Sequence, residues 1–124
     1  MSDTPRFSVG ARVRSFRYAF RGIVTLLASQ HNAWIHAVAT VGACALGLAL
    51  GISRLEWCAV LLVTGLVWSA EALNTALEFL CDAAIPENHP LVGKAKDTAA
   101  GAVLVAAVIA VAVAVLVFGP HLLG

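Results

Sequence analysis

The sequence predicts an all-α membrane protein, with one amphipathic helix on the membrane surface followed by three helices that cross it. Three observations carry this expectation. Apolar residues make up 60% of the 124 residues against 12% charged, a balance foreign to a soluble domain. Mean hydropathy is +0.90. Three long apolar runs are separated by short polar turns, and a basic segment with helical periodicity precedes them.

The first helix is expected over about 7–28. Val13, Phe16, Phe20, Ile23 and Leu27 recur at steps of three and four, and Arg14, Arg17 and Arg21 recur on a neighbouring face. Such a helix suits the interface between anionic headgroups and acyl chains. Three crossing helices are expected over about 34–52, 57–84 and 97–118. The run IHAVATVGACALGLALGI is uncharged and long enough for a hydrocarbon core of roughly 30 Å. Gly47 and Gly51 form a GxxxG within it, a spacing that permits close backbone contact between helices. Ser53 to Glu56 reads as a polar turn, and Pro86 ends the second span. Pro86 to Lys96 reads as a loop, and Gly119 with Pro120 closes the third span.

Charge distribution sets an orientation. Arg6, Arg12, Arg14, Arg17 and Arg21 precede the first span and Lys94 and Lys96 precede the third, whereas the turn between spans one and two has only Arg54. The positive-inside rule places the N-terminus and the second loop in the cytoplasm. A net charge of +1 excludes the strongly basic signature of a nucleic-acid binder. Met1 to Gly10 has no signal-peptide pattern. Cys44, Cys58 and Cys81 are widely spaced and read as buried apolar side chains.

One stripe carries the chemistry. Glu71, Asn74, Glu78 and Asp82 are separated by three, four and four residues, so they share one face of a helix. Carboxylates in a membrane segment cost about 2.5–3.5 kcal/mol each on insertion scales and call for a partner or a cation. Magnesium accepts carboxylate and phosphate oxygens while keeping water, which makes Glu78 a candidate ligand. Glu71, two turns deeper, is the candidate general base. Lys96 and Asp97 are expected at the start of the third span, where helix N–H groups and a lysine suit a phosphate. A polar seam or a proton path explains the stripe equally well, and a capping pair explains Lys96 and Asp97.

The stripe Glu71-Ala-Leu-Asn74-Thr75-Ala-Leu-Glu78, together with Pro86-Glu87-Asn88-His89-Pro90 and Ala95-Lys96-Asp97, resembles the bacterial diacylglycerol kinase and undecaprenol kinase family from Arg14 to Gly119. The resemblance implies a single lipid kinase domain over 1–124, assembled as a homotrimeric helical bundle in the bacterial inner membrane, with active sites between subunits. It implies Mg²⁺ and ATP, used without a Walker-type loop. By resemblance, Glu71 is the base and Asn74 orients it. Glu78 holds magnesium and ATP, and Tyr18, Glu87, His89, Lys96 and Asp97 contact the nucleotide. Glu71, Arg14, Trp34 and His36 meet the lipid, interface anchoring being the other reading of Trp34 and His36. The family's second metal-binding glutamate falls on Gln30, a neutral ligand that weakens the metal and ATP site. Asn32 to His36 and Gly51 to Trp57 resemble the undecaprenol kinase branch more closely. A catalytically weak or non-enzymatic protein with an intramembrane carboxylate path is the alternative.

Overall fold

The computed structural model describes residues 4–124. Residues 1–3, part of the stretch read above for a signal peptide, lie outside the described residues. Four helices follow one another: α1, Val9–Ser29; α2, His31–Leu50; α3, Arg54–Ala84; and α4, Pro90–Leu123. The last three are long and apolar enough to cross a membrane. At 1.5 Å per residue α3 and α4 extend about 46 Å and about 51 Å, well beyond a hydrocarbon core.

Local chemistry explains most boundaries. Ser8 caps α1 by accepting the Ala11 N–H. Ser53 and Glu56 form a reciprocal capping box at the start of α3, satisfying two otherwise orphaned N–H groups. The His89 Nδ1 accepts the Leu91 N–H, and Pro90 occupies the first turn of α4, where its missing N–H costs nothing. Gln30 alone separates α1 from α2, in extended conformation. No glycine or proline marks that break.

The two glycines of the GxxxG do different work. Gly51 closes α2 in the left-handed region, φ +62°, which costs a residue without Cβ nothing. Gly47 is buried, and a Cβ there would lie 2.8 Å from the Trp57 indole. It therefore lets α3's tryptophan pack within the same chain. Gly47→Val is expected to overpack this contact and cost about 1–3 kcal/mol, lowering the melting temperature in detergent; Trp57→Ala in the same background should recover part of the loss.

Several expectations are corrected. The fourth helix begins at Pro90, not near 97, so only residues 85–89 form the turn and Lys96 with Asp97 sits in the second turn of α4. Proline tolerates the first position of a helix, and the reading of Pro86 to Lys96 as one loop missed that allowance. The helix also runs through Pro120 to Leu123. The second span starts at Arg54, because Ser53 caps it, and the first starts at His31.

The exterior is as apolar as the interior. α3 and α4 form the principal helix pair. Ile52, Val60, Val117 and Phe118 make a small apolar core at the end carrying the α2–α3 turn. Leu62, Leu73 and Leu116, among many large apolar side chains, are exposed, as lipid solvation allows and water does not. Past the middle of α3 the buried side chains are polar: Glu71, Asn74 and Thr75.

Candidate active site

The polar stripe continues the face of α3 that buries Val60 and Val67. Helical periodicity keeps that face turned inward as far as Thr75, so Glu71 is 1% exposed and Asn74 8%. Farther along, Glu78 is half-buried and Asp82 is exposed. The stripe thus runs from a dry interior to solvent. Beyond Glu71 this face carries Val67, Val60 and Thr64, whose hydroxyl is tied to the Val60 carbonyl. A chain of carboxylates along this face ends at Glu71.

Glu71 is held asymmetrically. His36 Nε2 of α2 lies 3.3 Å from Glu71 Oε2, whereas Glu71 Oε1 is buried without a partner. His36 is braced in turn. Thr40 donates its hydroxyl to the His36 carbonyl at 2.7 Å and accepts the Trp68 indole N–H at 2.9 Å. The Trp68 and His36 rings meet edge to face with centroids 6.1 Å apart. His36, expected at the lipid headgroup, is thereby directed at the carboxylate, and Trp68 is a brace between α2 and α3. Sequence reading missed Thr40 and Trp68, since nothing local links either to Glu71.

Asn74 Nδ2 is 3.5 Å from Glu78 Oε1, a weak contact, and Asn74 Oδ1 is buried and unpartnered. Lys96 reaches across from α4 to Asp82 rather than pairing with its neighbour Asp97, which is exposed. Because α4 starts at Pro90, no free helix N–H groups lie at Lys96 and Asp97, and the expected helix-start anion site is not there. A pocket of about 400 Å³ lies at the α3–α4 turn, lined by Asp82, Glu87, Asn88, His89 and Lys96 among others. Three of the residues expected to contact nucleotide, Glu87, His89 and Lys96, therefore share one cavity.

The remaining candidates stand apart. Tyr18 is exposed on α1 with the Arg21 guanidinium 5.6 Å from its ring centre. Arg14 and Trp34 are exposed, and Gln30 is half-buried at the α1–α2 break. Among the described residues, no side-chain hydrogen bond joins Arg14, Tyr18, Gln30 or Trp34 to the stripe. Nor do three His, Cys, Asp or Glu side chains converge as a protein-only metal cage requires. A second cavity, about 330 Å³, lies between α2, α3 and α4 and is lined mainly by small apolar residues, with His36 and Thr40 on its wall.

A family model for prokaryotic diacylglycerol kinase matches residues 17–118. The chain belongs to that family of lipid kinases. The match takes in every stripe residue, both cavities and all the candidates except Arg14. The chain is 39% identical over 109 residues to an undecaprenol kinase of Bacillus subtilis, covering 88% of this chain and 89% of that relative. It is also 39% identical over 110 residues to a diacylglycerol kinase of Synechocystis, covering 88% of this chain and 63% of that protein. A lipid kinase must bring a buried lipid hydroxyl to a water-soluble phosphate donor. Along α3 the stripe grades from the buried carboxylate of Glu71 to the exposed Asp82 on the wall of the larger cavity.

Proposed function

We propose that the protein transfers the γ-phosphate of ATP to the hydroxyl of a membrane lipid at the cytoplasmic face, with undecaprenol favoured over diacylglycerol. The observation that carries this reading is Glu71: buried, with one carboxylate oxygen held by His36 and the other unpartnered. The lipid hydroxyl donates its proton to Glu71 Oε1 while its oxygen attacks the γ-phosphorus. The bond from that phosphorus to the β,γ-bridging oxygen breaks, and ADP leaves with its electron pair. Such transfer rests mainly on positioning and electrostatics, so a small bundle suffices. His36 holds the carboxylate in one orientation.

The donor set fits magnesium. Glu78 offers a half-buried carboxylate and Gln30 an amide oxygen, both hard ligands, and magnesium takes its remaining positions from water and phosphate. Bound there, the ion would neutralise phosphate charge. Glu87 and His89 contact the nucleotide from the α3–α4 turn and Lys96 and Asp97 from the second turn of α4, with Tyr18 at the entrance. Lys96 would exchange its exposed partner Asp82 for a phosphate. The lipid chain runs along α2 past Trp34 and His36, and the cavity between the spans has room for part of it. Arg14 meets the headgroup region.

In this reading α1 lies in the interface, since Phe16, Phe20 and Ile23 are exposed beside the Arg14, Arg17 and Arg21 face. The N-terminus and the α3–α4 turn face the cytoplasm of a bacterial inner membrane, following the basic residues. Three copies form the active unit and complete one another's sites. The test is incubation of reconstituted protein with labelled ATP, Mg²⁺ and a panel of undecaprenol, diacylglycerol, ceramide and monoacylglycerol. Labelled undecaprenyl phosphate as the main product is the expected result; no labelled lipid from any acceptor would reject the reading.

A further inference from the structure

Six serine and threonine side chains within the helices donate to the carbonyl four residues earlier: Ser15, Thr25, Ser29, Thr40, Thr64 and Thr98. This is the cheapest partner for a helical hydroxyl in an apolar setting. Thr75 is the exception that is also buried: it is 4% exposed, its hydroxyl does not donate to the Glu71 carbonyl, and Oγ1 has no partner. A buried hydroxyl without a hydrogen bond costs about 1–3 kcal/mol. Thr75 lies four residues after Glu71 and beside Asn74, so the three unpartnered buried polar atoms, Glu71 Oε1, Asn74 Oδ1 and Thr75 Oγ1, belong to one patch of α3.

The chemistry of the three atoms specifies what completes them. A carboxylate oxygen and an amide oxygen accept, and a threonine hydroxyl both donates and accepts. An alcohol complements the first and the last of them, because its one proton goes to Glu71 Oε1 and its oxygen accepts from Thr75; Asn74 Oδ1 is left for a second donor. We infer that Thr75 is a substrate-binding residue whose hydroxyl donates to the oxygen of the acceptor alcohol, while that alcohol donates to Glu71 Oε1. The inference rests on the reading of Glu71 as the base. With one lone pair engaged by Thr75 and its proton by Glu71, the alcohol oxygen presents a remaining lone pair to the phosphorus. The Thr75 bond strengthens as negative charge grows on that oxygen. Unsatisfied polarity is retained where function uses it, at the expense of stability.

The test separates a substrate-facing hydroxyl from a structural one. Thr75→Val keeps the branched shape and removes the hydroxyl; Thr75→Ser keeps the hydroxyl. Both are reconstituted in vesicles with undecaprenol, and in parallel with diacylglycerol, alongside the unaltered chain. For Thr75→Val, kcat/KM for the lipid is expected to fall about tenfold to a hundredfold, with KM for ATP unchanged. Its melting temperature should equal or exceed that of the unaltered protein, since an apolar isostere removes an unmet hydrogen bond. Thr75→Ser should restore most of the rate. Wild-type kcat/KM in Thr75→Val overturns the inference. So does a lowered melting temperature or disrupted assembly, which would place the hydroxyl's partner inside the protein. If the unaltered chain phosphorylates neither lipid, the proposed function fails and this inference with it; an active unaltered chain with an equally active Thr75→Val removes the inference alone.

Discussion

Replacing Glu71 by glutamine is expected to lower lipid phosphorylation by about a hundredfold to ten-thousandfold, the usual contribution of a positioned general base. The amide keeps the shape of the side chain and can still accept from His36 through its oxygen, so the α2–α3 contact survives. What it loses is the capacity to take a proton. ATP affinity should stay close to that of the unaltered protein, because the solvent-facing pocket lies along α3 from this position and is lined by other residues. Single-turnover rates and nucleotide calorimetry in reconstituted protein separate the two effects. Near-normal turnover in Glu71→Gln would remove Glu71 as the base, and a matched loss of ATP affinity would make it a binding residue instead.

The second large effect is expected at Glu78. Its carboxylate is half-buried on the stripe, between the dry segment at Glu71 and the exposed end at Asp82. In the proposed site it is the one charged side chain that holds the metal, since Gln30 is neutral. Glu78→Ala should therefore abolish the magnesium dependence of nucleotide binding, leaving weak binding that does not respond to added Mg²⁺ or to chelation. Calorimetric titration of ATP with and without EDTA reads this directly. Unchanged, chelator-sensitive affinity would exclude a metal role. Gln30→Glu is the converse change: it restores a second negative charge and should leave activity equal or higher. A large fall in Gln30→Glu would show that the amide itself is needed at the α1–α2 break.

The stripe and the partners show two kinds of legibility. Glu71, Asn74, Glu78 and Asp82 could be placed on one face from their spacing alone, because a helix fixes the angle between residues three and four apart whatever surrounds it. Carboxylates in an apolar run also call for a partner or a cation, which leaves catalysis and a polar seam equally open. His36 could not be assigned to Glu71 this way. The two are 35 residues apart, and on spacing alone His36 reads as an interfacial side chain. Lys96 beside Asp97 looked like a pair, yet on a helix adjacent residues point in different directions, and the lysine found Asp82 across the turn. The start of α4 is ambiguous in the sequence for a local reason: Pro90 suits a loop and equally the first turn of a helix.

Thr75 lies between these cases. Its position in the stripe was visible, but every threonine in a membrane helix has an acceptor at hand in its own backbone, and only the packed chain reveals which one has declined it. The sequence by itself determined four helices, three of them able to span a membrane, and the single polar face of α3, because periodicity, capping and hydropathy act over a few neighbouring residues. Only the tertiary structure decided which oxygen of Glu71 is occupied, where Lys96 reaches and that Gly47 makes room for Trp57. Those outcomes depend on how separate helices meet in space, and that free energy is shared among distant residues.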